Sequence, residues 1–491
     1  MPLQGTPLIT MITIASSCGF LLFGYDNGVF SGIVVLPWFL HTFNNPSSQL
    51  LGTVSAMYNI GGFLGSLTAF FIGAPLGRRR TILTGLLVCT IGAIVQCLSI
   101  HLAELVAGRI VCGLGVGIMT STVGLWQAEV VPPRSRGAYL TLQLLGGSAT
   151  GLFLAQWINY GFHSVTTRVA FVFPLAFQLV FMMISTILIM FLPESPRWLV
   201  KKGRRNEALA VLRRLHDESA EFRLAQIEQA VALELRSAGS SYRSLITMGP
   251  TQNLRRLGLA CGTMIMHQLG GINSVTYYMP TLLETFMGAS HTKSLWIAGL
   301  SSLTSMVCAL VPVFTIDRVG RRIFLWGGAV WQLVMFVIIS VILAKAEAPS
   351  ASPSSENTLG ITAVVMFFLF YGGNAMTWLG PSWAYPTEIL PLQIREKGLA
   401  LGNICYWLFQ FMIVEVTPVA ITNIKYRFYI VLAVLNTFNA VVVYFWFPET
   451  KGLSLEEIDF YFAEKYGFQE AQELGQLSKT ATEEVEDVRS T

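Results

Sequence analysis

The stretch "FLLFGYDNGVFSGIVV", residues 20–35, has the composition of a helix that crosses lipid, yet Asp26 stands near its middle. A charge at the centre of a spanning helix costs about 2.5–3.5 kcal/mol on insertion scales and marks a function by default. Reading outward from it, apolar runs of membrane-spanning length recur. They lie near residues 10–36, 50–73, 80–100, 104–130, 138–162 and 168–192, then 256–284, 295–316, 323–344, 359–389, 397–421 and 428–447. Only 12% of the 491 residues are charged, about half the roughly 25% of a soluble domain. Mean hydropathy is +0.58. The opening "MPLQGTPLIT" has no basic region and no cleavage site follows it, so the first run is expected to stay in the mature protein. The fold class expected is therefore an all-α membrane protein of twelve transmembrane helices.

Charge orients the chain. With both termini cytoplasmic, 26 Lys and Arg fall on the inner side and 5 on the outer side, and Arg109 alone lies inside a span. The positive-inside rule then places both termini inside. The seven cysteines all fall in apolar runs without a CxxC pair, so neither a metal site nor a disulfide framework is signalled.

Three features recur across a hydrophilic stretch at 197–255. "LGRRR" at 76–80 answers "VGRR" at 319–322. Glu129 precedes Arg136 by seven residues, as Glu388 precedes Arg395. "PESPR" at 193 answers "PETKG" at 448. The chain thus reads as a six-helix half over 1–196, a cytoplasmic helical linker over 197–255, a second six-helix half over 256–450, and a cytoplasmic tail over 451–491 that is disordered in part. Duplicated halves of this kind hold substrate at their interface, near the bilayer midplane. The central stretch has amphipathic spacing and no Pro to 236, which predicts two or three surface helices. Residues 346–357 read as an outer loop.

The ordered set "GYDNGVFSG" (24–32), "GRR" (77–79), "GRIVCGLGVG" (108–117), "EVVPPRSRG" (129–137), "PESPRWLVKKGR" (193–204), "HQLGGINSVTYYMP" (267–280), "DRVGRR" (317–322), "EILPLQIREKG" (388–398) and "PETKGLSLEEID" (448–459) resembles the sugar porter family of the major facilitator superfamily. The resemblance covers essentially the whole chain. It implies a bundle that exposes one central site to each side in turn, a sugar or polyol as substrate, and a monomer in the plasma membrane. It implies no enzyme activity, no nucleic acid partner, and no cofactor beyond a proton as coupling ion. "GLGVG" at 113–117 follows no strand, and its small residues suit close helix packing better than a phosphate.

The charged residues at the inner ends, Glu129 with Arg136, Glu388 with Arg395, and Arg78 and Arg79 with Arg321 and Arg322, are candidate latches between the halves. Asp317 accompanies the second set, but its N-terminal counterpart is Ala74, so the latch is expected to be asymmetric. Substrate contact is expected from the seventh span. Gln268 and Asn273 both donate and accept hydrogen bonds, as sugar hydroxyls require. Gly270 and Gly271 could relax the helix between them and aim both at one cavity. His267 stands where the family carries another Gln. Ser305 replaces an Asn, and Leu144 replaces a Gln, with Gln143 one place off. Tyr277, Trp383, Tyr406, Trp407 and Gln410 complete the expected lining.

Arg109 is the expected partner of Asp26. Counted from the outer surface the two lie roughly 12 and 16 Å deep, at about 1.5 Å per residue. Held apart from its cation, a desolvated carboxylate takes a proton, which would link proton movement to transport. Three alternatives stand beside proton symport: a facilitative uniporter, a carrier of an acidic sugar or cyclic acid with His267 supplying a cation, and a non-transporting sugar sensor.

Overall fold

The computed structural model describes residues 4–131, 139, 142, 143, 145–216, 220–236, 242–248, 251–287, 290–347, 353–391, 393–453 and 455–466. Among these residues every regular element is a helix, and ten helices are long and apolar enough to cross a bilayer. The first half supplies Gly5–Ile33, Ser48–Leu76, Arg78–Leu98 and Leu102–Val130 as its first four spans. Its fifth span is a π-turn, Leu145–Ala149, running into Thr150–Phe162, and its sixth is Val169–Phe191.

The seventh span is broken into Asn253–Leu269 and Ile272–Met287. The eighth is His291–Cys308 with Leu310–Val319, and the ninth is Arg321–Ala346. The tenth runs Pro353–Asn374, through a π-turn at Ala375–Leu379, into Pro381–Ile389. It therefore begins inside the stretch read as an outer loop. Arg395–Ile424 and Arg427–Trp446 are the eleventh and twelfth. Between the halves lie Pro196–Lys201, Arg205–His216, Ala220–Arg236 and a 3-10 turn at Tyr242–Ile246. The linker helices bury Ala208, Leu212 and Leu224 against Trp198 and Leu199.

Small residues decide how closely the spans approach. A side chain at Gly61 or Gly65 of the second span would strike the backbone of the fourth at Ile110 and Leu114. One at Gly113 or Gly117 would strike the second at Tyr58 and Gly62. The Gly-rich run 113–117 is thus a helix-packing face. The seventh span breaks where Gly271 takes φ +86°, a left-handed conformation that costs other residues about 1–2 kcal/mol. The two π-turns face each other across the eighth span, where Ala149, Ala309 and Ala375 cluster. Such turns occur often at functional sites, and these two flank the central cavity.

Candidate substrate and proton site

Asp26 and Arg109 are both fully buried, and each presents polar atoms without partners: Asp26 Oδ1, and Arg109 Nε and Nη1. Their direct ion pair, expected from depth, does not form. Arg109 Nη2 donates to the Ser55 carbonyl at 3.2 Å, and its guanidinium lies 4.4 Å from the Phe30 ring and 4.6 Å from the Tyr58 ring. Two aromatic faces and a carbonyl hold the cation, so it stays near the carboxylate without closing on it. Asp26 Oδ2 instead faces the Cys112 sulfur at 3.6 Å, and that sulfur lies 3.3 Å from Cys89 and 3.7 Å from Gln178 Oε1. This thiol pair, one from the third span and one from the fourth, has no signal in the cysteine spacing.

One residue along, Asn27 looks the other way, into a central cavity of about 630 Å³. The first span also contributes Phe23 and Gly24, the fifth Ser148, Ala149 and Leu152, and the seventh His267, Ile272, Asn273 and Thr276. The eighth adds Ser305, the tenth Tyr371, Asn374, Leu379 and Trp383, and the eleventh Tyr406. Of the expected ligands, His267, Asn273, Trp383 and Tyr406 line this space.

Gln268, Tyr277 and Gln410 stand one layer behind the wall. Asn273 Nδ2 donates to Gln268 Oε1 at 2.5 Å, Tyr277 donates to Asn27 Oδ1 at 2.6 Å, and Gln410 Nε2 donates to the same oxygen at 3.2 Å. The expectation that Gln268 and Asn273 both reach the cavity is corrected accordingly: the break at Gly270 and Gly271 turns them toward each other. Trp407 is fully buried among Phe23, Tyr58 and Tyr406 rather than lining the space. His267 sets Nδ1 3.1 Å from the Ser382 hydroxyl and stacks on Trp378.

Gln143 is also displaced from the expected site. It lines a second cavity of about 550 Å³ toward the inner side, with Phe20, Thr120, Met264 and Asn403. Trp383 borders both cavities and packs edge-on against Phe20 at 5.4 Å, with Tyr406 at 5.2 Å. It forms the partition between the central space and the inner one. Leu144 lies outside the described residues. Among the polar lining residues not expected from the sequence are Asn27 and Asn374. Asn27 follows Asp26 in a stretch already singled out, and Asn374, with Nδ2 buried and unpartnered, is marked only by being an amide in an apolar run.

The family model described as "Sugar (and other) transporter" matches residues 11–462. The chain belongs to this family. Among sugar transporters and their relatives, it is 38% identical to the MFS-type transporter oryC of Aspergillus oryzae, over 94% of this chain and 86% of that one. It is 32% identical to the Sugar transporter STL1 of Saccharomyces cerevisiae, over 99% of this chain and 87% of that one. The fold matches the proton:xylose symporter XylE with a TM-score of 0.80 at 24% identity, covering 93% of this chain and 99% of that one.

At the span ends that carry the repeated Gly-Arg-Arg and Glu motifs, the acids meet the arginines Arg78 and Arg321. Arg78 grips Glu129 through Nε and Nη2, both at 3.0 Å, and reaches across the halves to Glu396 at 3.0 and 3.1 Å. Arg321 grips Glu388 at 2.7 Å and Asp317 at 2.8 Å. Glu129 and Glu388 are thus taken by the arginines that open the third and ninth spans. Arg395 donates to the Leu390 carbonyl, and Arg136 lies outside the described residues. The physical reason is position: a guanidinium at the first turn of a neighbouring helix reaches the carboxylate in a bidentate fork.

The Pro-Glu repeat has a matching role. Glu194 accepts from the Arg78 and Arg79 amides at 2.9 and 3.2 Å, and Glu449 from those of Arg321 and Arg322 at 2.9 and 3.1 Å. Each carboxylate sits at a helix N-terminus, where unpaired amides and the helix dipole favour an anion. Gly77 and Gly320, at φ +91° and +106°, make the turn that brings the amides round. Arg79 in turn donates to Ile189 at 3.0 Å and to Met190, and Arg322 to Tyr444, so each second arginine caps the last span of its own half.

Proposed function

We propose that this protein carries a sugar or polyol across the membrane by proton symport, with Asp26 taking and releasing the proton. The observation that carries the reading is a carboxylate buried in the first span, one oxygen unpartnered, beside a cation that is held by rings and not by the acid itself. Ionised, Asp26 sits in the field of Arg109. Protonated, it is neutral and no longer restrains the first span relative to the fourth. Asn27, its neighbour in sequence, meets Tyr277 and Gln410 of the other half at the cavity wall. A change at position 26 is therefore one residue away from the substrate space. Relatives named as a sugar transporter and as the high-affinity glucose transporter of Kluyveromyces lactis support the substrate class.

In this reading substrate lies between Asn27 and the Asn273–His267 face of the seventh span, above Trp383. Both termini are cytoplasmic, and the protein works as a monomer in the plasma membrane. Uptake of labelled hexoses, pentoses and polyols into proteoliposomes, with and without an inward proton gradient, tests it. Gradient-driven accumulation of at least one of them is expected in the wild type. Asp26→Asn should lose accumulation while keeping exchange of substrate for substrate. Failure to move any sugar or polyol overturns the substrate class, and an Asp26→Asn variant that still accumulates with the gradient overturns symport.

A further inference from the structure

Cys89 of the third span and Cys112 of the fourth lie outside the substrate space, yet they adjoin Asp26, and both are buried. Small residues bring them together. A Cβ at Gly92 of the third span would lie 2.6 Å from the Cys112 Cα, and one at Gly115 of the fourth 2.4 Å from the Cys89 amide nitrogen. The two backbones therefore touch beside both cysteines, which sets the sulfurs 3.3 Å apart.

Four side chains from four spans converge there. Besides Cys89, the Cys112 sulfur has Asp26 Oδ2 of the first span at 3.6 Å and Gln178 Oε1 of the sixth at 3.7 Å. The ligand atoms of Asp26, Cys89 and Cys112 all lie within 4.8 Å of one another. Asp26 and Gln178 are fully buried, and each keeps one polar atom unpartnered, Asp26 Oδ1 and Gln178 Nε2. Thiols packed as small apolar groups account for the sulfur pair. They do not account for a carboxylate and an amide oxygen aimed at one sulfur, because a thiol has a single weak S–H to give. Converging lone pairs of this kind suit a cation.

We propose that Asp26, Cys89, Cys112 and Gln178 form a binding site for a thiophilic divalent metal ion of the zinc class. The geometry fits such an ion. Bonds of about 2.3 Å to sulfur and about 2.1 Å to oxygen give tetrahedral edges of roughly 3.6–3.8 Å. The distances to Cys112 Sγ are 3.3, 3.6 and 3.7 Å. Thiolates select zinc or cadmium over magnesium and calcium, which take oxygen shells. The charge fits as well. Binding displaces two thiol protons to water, so one divalent ion replaces two protons and the net charge of the cluster is unchanged. Two thiolates and a carboxylate leave the ion one charge negative, and Arg109, whose field reaches Asp26, balances it. A bound ion holds four spans of the first half together. It also takes the Asp26 oxygen that carries the proton in the proposed cycle, although the site itself does not depend on that cycle.

The test titrates the full-length protein in detergent with cadmium(II). Bound metal is measured by elemental analysis, beside the ultraviolet charge-transfer band of a cadmium–thiolate bond and the thermal midpoint. A second preparation comes from cells grown with added zinc, so that the ion can enter as the chain folds. One ion per chain, a thiolate band with cadmium and a raised midpoint are expected. Cys89→Ser with Cys112→Ser should lose all three, and Cys89→Ala with Cys112→Ala repeats the loss should the serine pair fold poorly. Cys18→Ser, Cys97→Ser, Cys261→Ser, Cys308→Ser and Cys405→Ser together should keep them. Asp26→Asn, which retains both thiols, should weaken binding several-fold. No bound ion in either preparation, a band that survives loss of Cys89 and Cys112, or an Asp26→Asn variant that binds as tightly as the wild type overturns the site. Binding needs no substrate, so a failure of sugar uptake leaves this result intact and separates the two readings.

Discussion

Four residues before Arg321 the chain carries Asp317, and four residues before Arg78 it carries Ala74. In the second half the acid engages Arg321 within its own half. In the first half there is no such acid, and the corresponding face of Arg78 turns to Glu396 across the interface. A single missing carboxylate thus converts a local ion pair into a tie between halves, the asymmetry expected from Ala74. Ala74→Asp should recapture Arg78 and loosen that tie. The expected outcome is a several-fold rise in the reactivity of a cysteine introduced by Asn403→Cys, which lines the inner cavity, toward a permeant maleimide. An unchanged rate would count against the role given to Ala74.

At the scale of an element, the seventh span illustrates how two glycines shape a binding wall. A Cβ at Gly271 would lie 3.0 Å from Phe336 and 3.1 Å from Leu432, in a left-handed conformation. Gly271→Ala should cost about 1–2 kcal/mol through strain alone and swing Asn273 relative to Gln268. Reduced apparent affinity for the transported substrate, with a lower thermal midpoint in detergent, is the expected pair of readouts. Gly262→Ala is the control on the same span, since only the tip of Met266 lies within 4 Å there. It should leave both readouts near wild type.

For the whole molecule, contacts between the halves stand at three depths: Thr53 with Glu415 outside, Asn27 with Tyr277 midway, and Arg78 with Glu396 inside. The inner tie is the strongest of the three, because Arg78 is 2% exposed and its two carboxylates share a buried cation. Glu396 is 30% exposed and Arg78 would keep Glu129, so losing Glu396 costs less than breaking a fully buried pair. Glu396→Ala should therefore shift the population toward the inward-open form more than it lowers folding stability. Greater protection of outer residues and faster exchange at the inner cavity, read by hydrogen–deuterium exchange, is the expected pattern. Equal exchange on both sides would contradict a latch.

The twelve spans and the two-half plan were legible in the sequence because a bilayer writes them there. Backbone groups in lipid must bond within a helix, so spanning length and apolar composition are imposed locally. Asp26, Arg109 and the arginines at the span ends were visible for the same reason, as charges where lipid disfavours them. Their partners were not. Arg109 lodges between Phe30 and Tyr58, Arg78 crosses to Glu396, Gln143 falls below Trp383, and Glu415 meets Thr53. Each of these depends on how far one helix slides and turns against another, which close packing at small residues sets. Spacing along one chain fixes depth and face within a span, but only the tertiary packing decides which side chain of another span stands opposite.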